Sequence, residues 1–387
     1  MSMISPGQTI GIMGGGQLGR MMAMEAHRMG YRVGVMDPQK NCPAAQVADF
    51  HLQSDFRRKQ DILDFSQQVD VITIETELIP SNLLGEIDTL QMAYPTSEHL
   101  AVFQDRLKQR QLLRSQGIPQ TAFGGITTLS ELQSVGELVG FPGILKTSRS
   151  GYDGKGQIRV ENSDSLSEAW KAMKEVPSVL EALVPLHKEL SVILARGRSG
   201  EIQVFPVAEN VHRNNILHAT KVPADVPTHI QEQAVGIAST LAETLNYRGI
   251  LAIEFFLLAD ETLLVNEVAP RPHNTGHFSF GGCVTSQFEQ HVRAICGLPL
   301  GVPSLLKPTV MINLLGNLWE NGSPPWDRLL SHPNVQLHLY GKDTPRPNRK
   351  MGHFLLFPDE GKDPFAQAEL LLQEILPKKS QVSCSTP

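Results

Sequence analysis

Glu254 and Glu267 stand at the two ends of the segment EFFLLADETLLVNE. Between them lie two apolar runs on either side of Ala259, Asp260 and Glu261, so the segment reads as a β-hairpin with its turn at those three residues. Folded about Asp260 and Glu261, residue 254 falls opposite residue 267. Directly opposed residues on one sheet face carry Cβ atoms about 5 Å apart, and like charges at that separation repel. A divalent cation shared by the two carboxylates and the phosphates of a nucleotide removes the repulsion. Mg²⁺ suits such a donor set, with Mn²⁺ as its substitute. The flanking residues are too apolar for a freely exposed ribbon.

A second group of residues suits polyphosphate. Residues 147–157 read TSRSGYDGKGQ, a small-residue loop between strands expected at 143–146 and 158–160. Gly151, Gly154 and Gly156 let backbone N–H groups approach phosphate oxygens. Lys146 ends the preceding strand and Lys155 lies inside the loop, and lysines act on phosphate as point charges. No Walker-type G-x-x-x-x-G-K-[ST] occurs. Near the start, Gly14 to Gly19 (GGGQLG) matches G-x-G-x-x-G after a strand and before a helix, with Asp37 closing the next strand. That context passes the test for a dinucleotide turn, so an NAD-dependent dehydrogenase stays as a remote alternative. The motif itself reports only a tight turn and a helix N-terminus ready for an anion. The sheet around it should continue past residue 95 in an NAD enzyme, but the chain leaves for a different kind of unit, so NAD is not expected.

Two further clusters carry charge. Lys342, Arg346, Arg349 and Lys350 are the densest basic group, on an expected loop. His273 and His277 are four apart, a metal spacing on a helix, but Pro272 and Gly276 place them on a loop, and zinc is not expected.

These groups need elements to hold them. The first stretch predicts strands at 9–13, 32–36 and 69–74 with helices at 17–29 and 61–68, an order that builds a doubly wound parallel sheet. A helix is expected over 98–116, another over 130–139, strands at 190–195 and 202–208, a long helix near 229–246 and a helix at 286–296. The expected division is a Rossmann-like unit at 1–97, a unit of two α+β halves at 98–300 with a lid at about 121–185, a small β-rich unit at 301–377, and a disordered polar tail at 378–387. The 387 residues, 41% hydrophobic and 19% charged, can fill several cores. Formal charge is −6, from 34 basic and 40 acidic residues, which argues against a whole-surface role on nucleic acid or membrane. No apolar run is long enough to span a bilayer, no signal-peptide pattern opens the chain, and Cys42, Cys283, Cys296 and Cys384 form no Cys-x-x-Cys pair. A cytoplasmic enzyme is the expectation.

Taken together, the glycine loop with Lys146 before it, then VLEALV at 179–184, Glu189 and the acidic hairpin resemble the ATP-grasp superfamily. More closely, GGGQLGRM at 14–21, GYDGKGQ at 151–157, NEVAPR at 266–271, HNTGH at 273–277, SQFE at 286–289, and R-x-x-R-K-M-G-H at 346–353 resemble the N5-carboxyaminoimidazole ribonucleotide synthetase family, over residues 8–365. Ile74, Glu75, Thr76 and Glu77 stand where that family often has a more aromatic acidic strand end. The resemblance implies carboxylation of 5-aminoimidazole ribonucleotide with ATP and bicarbonate, through carboxyphosphate, by a homodimer. It places adenine on the backbone of Glu181, Ala182, Leu183 and Val184, the ribose near Glu189, and phosphates on Lys146, Arg106 and the loop Gly151, Tyr152, Asp153, Gly154, Lys155, Gly156 and Gln157. His212 would lie near the nucleotide, and Asn266 and Glu267 would complete its site. Arg271 would neutralise carboxyphosphate, with His273 and Asn274 orienting it. Tyr152 and Asp153 would meet the aminoimidazole. Lys342, Arg346, Arg349 and Lys350 would hold the substrate phosphate, opposite Gly16, Gln17, Leu18 and Glu75. A sibling such as formate-dependent glycinamide ribonucleotide transformylase shares the acidic hairpin and remains the nearer alternative.

Overall fold

The computed structural model describes residues 3–88, 92–149 and 156–377. Gly151, Tyr152, Asp153, Gly154 and Lys155, expected at the phosphates and the aminoimidazole, and the tail 378–387 lie outside the described residues. The N-terminal sheet is parallel, with spatial order Phe50–Leu52, Arg32–Met36, Thr9–Met13, Val71–Ile74 and Met92–Tyr94. Its central strands are short Val- and Ile-rich runs without alternation, as burial on both faces demands. Helices Gln17–Arg28, Lys59–Ser66 and Ser81–Asp88 connect the strands. The strand at 50–52, the helix at 81–88 and the strand at 92–94 are too short to leave a periodic signal, and sequence reasoning did not anticipate them.

The helix expected over 98–116 is two, Ser97–Phe103 and Arg106–Ser115. Asp105 breaks it. Its carboxylate accepts from Leu107 N at 3.1 Å and Lys108 N at 3.3 Å, which caps the second helix. The break also lets Arg106 N donate to Ser148 O at 2.8 Å, tying the helix start to the glycine loop.

A four-stranded antiparallel sheet follows, ordered Phe123–Ile126, Ser178–Ala182, Gly143–Thr147, Gln157–Val160. Helices Glu131–Val139 and Ser163–Ala172 cover one face, where Leu132, Leu145, Leu166, Trp170 and Leu180 form a separate small core. The glycine loop is the connection of its edge hairpin.

The largest sheet has nine strands. The acidic hairpin, Gly249–Leu258 and Leu263–Ala269, forms one edge; Leu186–Arg196, Ala208–Arg213 and Ile216–Val222 follow; Thr309–Leu315, Lys350–Leu356 and Val335–Leu339 complete it, with Ile202–Val204 paired to Leu186–Arg196. The C-terminal strands thus continue the sheet through the antiparallel pairing of Ile216–Val222 with Thr309–Leu315. That continuity carries Lys350 to the same sheet as Glu254. Helix Thr228–Thr244 packs Ile230, Ala234, Ala238 and Leu241 against Leu190, Val192, Leu251 and Ile253 on one face.

Candidate active site

Glu254 and Glu267 are cross-strand partners. Simple symmetry about the turn does not produce this. Leu257 with Leu263, Phe256 with Leu264 and Phe255 with Val265 pair about a turn centred on Asp260, and that register sets Glu254 against Asn266. The register shifts between Phe255 and Glu254, so Asn266 is an extra residue and Glu267 takes the place opposite Glu254. Leu258 N donates to Thr262 O at 2.9 Å, closing a turn of three residues, 259–261. Glu261, at φ 66°, donates its N–H to Leu258 O at 3.1 Å, and Asp260 Oδ1 accepts from Thr262 N at 3.0 Å.

The backbone on both sides of the bulge is held by one helix. Gln109 Oε1 accepts from Val268 N and Gln109 Nε2 donates to Val268 O, both at 3.0 Å. Arg110 Nη1 donates to Val265 O at 2.8 Å. Neither residue figured in the sequence reading, although Gln109 and Arg110 lie three and four residues after Arg106, within one helical turn of it.

Charge gathers around the acidic pair. Burial lifts Glu254 to about 7; His212 and Lys350 pull against the rise, and Glu267 and Glu189 add to it. Glu189, opposite Phe256 on the neighbouring strand, forms an ion pair with His212. Burial works against the His212 charge, but Glu189 and Glu254 outweigh it and raise its pKa. His273 Nδ1 is 3.7 Å from Glu254 Oε1, and Arg106 Nη1 is 3.9 Å from Glu267 Oε2. Among the described residues no cluster of three or more His, Cys, Asp or Glu side chains forms a complete protein cage for a metal. Two hard carboxylates that repel one another, one of them lifted to about 7, are a donor set that would suit a Mg²⁺.

Lys146 belongs to a buried triad with Glu181 and Arg110. Glu181 Oε2 receives Lys146 Nζ at 2.8 Å and Arg110 Nη2 at 2.8 Å. Burial alone would raise Glu181, but the two cations bring it down to about 2. Lys146 moves down as well, because burial and the nearby Arg110 and Arg106 outweigh the single carboxylate. The two directions agree on one point: two cations share one anion, and the cluster is short of negative charge. The strand carrying Glu181 ends at Ala182, and Leu183 N donates to Pro142 O at 3.0 Å, with Ala182, Leu183 and Val184 half-buried. Gly156, at φ 73°, accepts Thr147 N at its carbonyl, and Gln157 pairs with Lys146.

The N-terminal glycine turn grips the protein's own carboxylates. Gly16 N and Gly19 N donate to Glu75 at 2.7 and 3.0 Å, and Gly15 N donates to Asp37 at 2.7 Å. A Cβ on Gly16 would lie 2.5 Å from Glu75 Oε1. A pyrophosphate would compete with two acids for these amides. Burial raises Glu75 against the pull of the Gly19 and Gly16 N–H groups and Arg271. Leu18 is in the core, while Gln17 Oε1 accepts from Lys342 Nζ at 2.7 Å.

The basic cluster divides. Lys342 also donates to Lys350 O at 2.7 Å, and Lys350 acts electrostatically on Glu254, His212 and His273. Arg349 Nη1 closes its own loop on Thr344 O at 2.8 Å, and Arg346 is exposed.

Arg271 is clamped by Glu77, with Nε 2.8 Å from Oε1 and Nη2 2.9 Å from Oε2. Asn274 is buried, and its carboxamide pairs with that of Asn313 at 2.8 and 3.2 Å. His277 is fully buried beside His353, ring centroids 5.0 Å apart, and His353 stacks on His338 at 4.6 Å. The HNTGH loop therefore rests on the strand that carries Lys350.

The chain matches the ribonucleotide synthetase preATP-grasp domain over residues 7–104, the ATP-grasp domain over 111–288 and the phosphoribosylaminoimidazole carboxylase C-terminal domain over 309–363. The N5-carboxyaminoimidazole ribonucleotide synthase of Bacillus subtilis (strain 168) is 42% identical over 94% of this chain and 95% of its own. A crystal structure of an ADP complex of N5-carboxyaminoimidazole ribonucleotide synthetase superposes with a TM-score of 0.90 at 41% identity, covering 96% of this chain and 98% of that one. The Aspergillus clavatus enzyme in complex with ADP and 5-aminoimidazole ribonucleotide superposes at 0.87 with 30% identity, covering 96% and 99%. The acidic hairpin, the Lys146 triad and the clamped Arg271 thus sit in a chain whose three parts all match one lineage, and the protein belongs to the N5-carboxyaminoimidazole ribonucleotide synthase family of ATP-grasp ligases.

Proposed function

We propose that the protein carboxylates the exocyclic amine of 5-aminoimidazole ribonucleotide, using ATP and bicarbonate and releasing ADP and phosphate. The observation that carries this reading is the opposed pair Glu254 and Glu267, set by a bulge beside Arg271 and Arg106. A bicarbonate oxygen attacks the γ-phosphorus of ATP, the bond to ADP breaks, and carboxyphosphate forms. The amine nitrogen then takes the carboxyl carbon, as carboxyphosphate or as the CO2 it releases; phosphate departs, and the amine loses one proton.

Phosphoryl transfer asks a protein for position and charge rather than covalent help. Lys146 and Arg106 supply charge to the phosphates. Glu254 and Glu267 would hold a Mg²⁺, or Mn²⁺, which would supply positive charge to neutralise the phosphates. Arg271, with His273 beside it, faces the reacting carboxyl anion. Lys342 and Gln17, with the loop bearing Arg346 and Arg349, receive the substrate phosphate. The glycine-rich lid, including Tyr152 and Asp153, excludes water from a labile intermediate. The resemblance further implies a cytoplasmic homodimer, which size-exclusion chromatography with light scattering checks.

A coupled ADP-release assay separates this reading from its neighbours. Turnover with aminoimidazole ribonucleotide and bicarbonate supports it. Turnover only with glycinamide ribonucleotide and formate would assign the chain to the sibling ligase. The glycine turn, already filled by Glu75 and Asp37, weighs against a dinucleotide.

A further inference from the structure

Glu77 has no place in the reaction described above, yet it is built into the site with care. It lies three residues past the strand Val71–Ile74, in the N-terminal unit, and reaches across to Arg271, which follows the acidic hairpin. Two contacts join them, Nε to Oε1 at 2.8 Å and Nη2 to Oε2 at 2.9 Å. The Nη2 contact is a hydrogen bond and the Nε contact a close ion pair, so the carboxylate fixes where the guanidinium sits. The other terminal nitrogen, Nη1, donates to Pro272 O at 3.1 Å. Each terminal nitrogen carries two N–H groups, so Nη1 and Nη2 each retain one for an oxyanion.

The clamp is itself anchored. Gln104 Nε2 donates to Glu77 O at 3.1 Å and to Ile79 O at 3.0 Å, which holds the loop. On the other side Tyr247 OH donates to Pro270 O at 2.6 Å, one residue before Arg271. Two residues before Glu77, Glu75 is bound by the amides of the glycine turn. Side-chain exposure is 17% for Arg271 and 23% for Glu77, so the pair is screened from water enough to define a geometry while an edge stays open.

We propose that Glu77 is a positioning residue for Arg271: it holds the guanidinium where its remaining N–H groups meet the reacting carboxyl anion. Glu77 touches no substrate in this role and acts only through Arg271. The proposal rests on the assigned reaction only in giving Arg271 an anion to meet.

The test is steady-state ADP release by the wild type, Glu77→Gln, Glu77→Asp, Arg271→Lys and the Glu77→Gln/Arg271→Lys double variant, with thermal midpoints alongside. It uses whichever amine and acid pair the wild type turns over, so a different pair would sink the assigned reaction and leave this inference measurable. Misplacing a catalytic group by about 1 Å can cost on the order of a hundredfold. Glu77→Gln is therefore expected to lower kcat at least about tenfold, with the KM for ATP within about twofold and the midpoint within a few degrees. Glu77→Asp should recover part of the loss. On the Arg271→Lys background the second substitution should change kcat less than about twofold, because residues acting as a unit are non-additive. Unchanged kcat in Glu77→Gln, additive losses in the double variant, or a loss that follows unfolding would each overturn the assignment.

Discussion

The carboxamide of Gln109 engages both backbone polar groups of Val268, accepting its N–H and donating to its carbonyl at 3.0 Å each. Val268 directly follows Glu267, and Arg110 takes the carbonyl of Val265 on the other side of the bulge. One helix thus fixes a local irregularity that a regular ladder would not maintain. Gln109→Leu should cost about 1–3 kcal/mol, since it strands buried backbone groups. It should also raise the Mg²⁺ concentration needed for half-maximal ADP release. Urea unfolding and a Mg²⁺ titration check the two effects.

Glu181→Gln removes the only carboxylate between Arg110 and Lys146 in the triad. Breaking a buried pair while leaving its cations in place costs about 3–5 kcal/mol. The expected result is a lower urea midpoint, with the KM for ATP raised as Lys146 loses its hold.

The same carboxylate gives an acid signature. Its folded pKa is about 2, below the ordinary value of 4.5, so its stabilisation is present above that ordinary value and is lost as pH falls through the folded one. In the wild type this contributes about 3 kcal/mol that disappears between about pH 5 and pH 2. Glu181→Gln should show a shallower loss over that window, measured by urea unfolding at a series of pH values.

Lys342 bridges Gln17 and the backbone of Lys350. Lys342→Met should raise the KM for the ribonucleotide about tenfold or more while leaving the KM for ATP within about twofold. An equal rise in both constants would place Lys342 outside the substrate phosphate site.

Much of this site is legible in the chain because its chemistry is local. The acidic hairpin, its turn and the strand before the glycine loop are apolar runs with clear breaks. The bulge is not legible: Asn266 carries no mark that it is an extra residue, and a turn centred between Asp260 and Glu261 sets Glu254 opposite Glu267 only because that centre lies half a residue from the observed one. The break at Asp105 was open to reading as a cap, but the apolar pattern on both sides hid it. Glu77, Gln109 and Glu181 act through contacts 194, 159 and 71 residues away in sequence, which no spacing announces. Pro272 and Gly276 mark the stretch from His273 to His277 as a loop, but not that His277 packs against His353, because loops are placed by the sheet they rest on.

The most direct measurement is ADP release from ATP, bicarbonate and 5-aminoimidazole ribonucleotide by the wild type and by Glu267→Gln, with thermal midpoints recorded in EDTA. Removing one of two repelling acids should leave the metal-free midpoint equal or higher, while ADP release falls about a hundredfold or more. A Glu267→Gln protein that folds normally and turns over within a few-fold of the wild type would contradict the assignment of that hairpin to the nucleotide's cation.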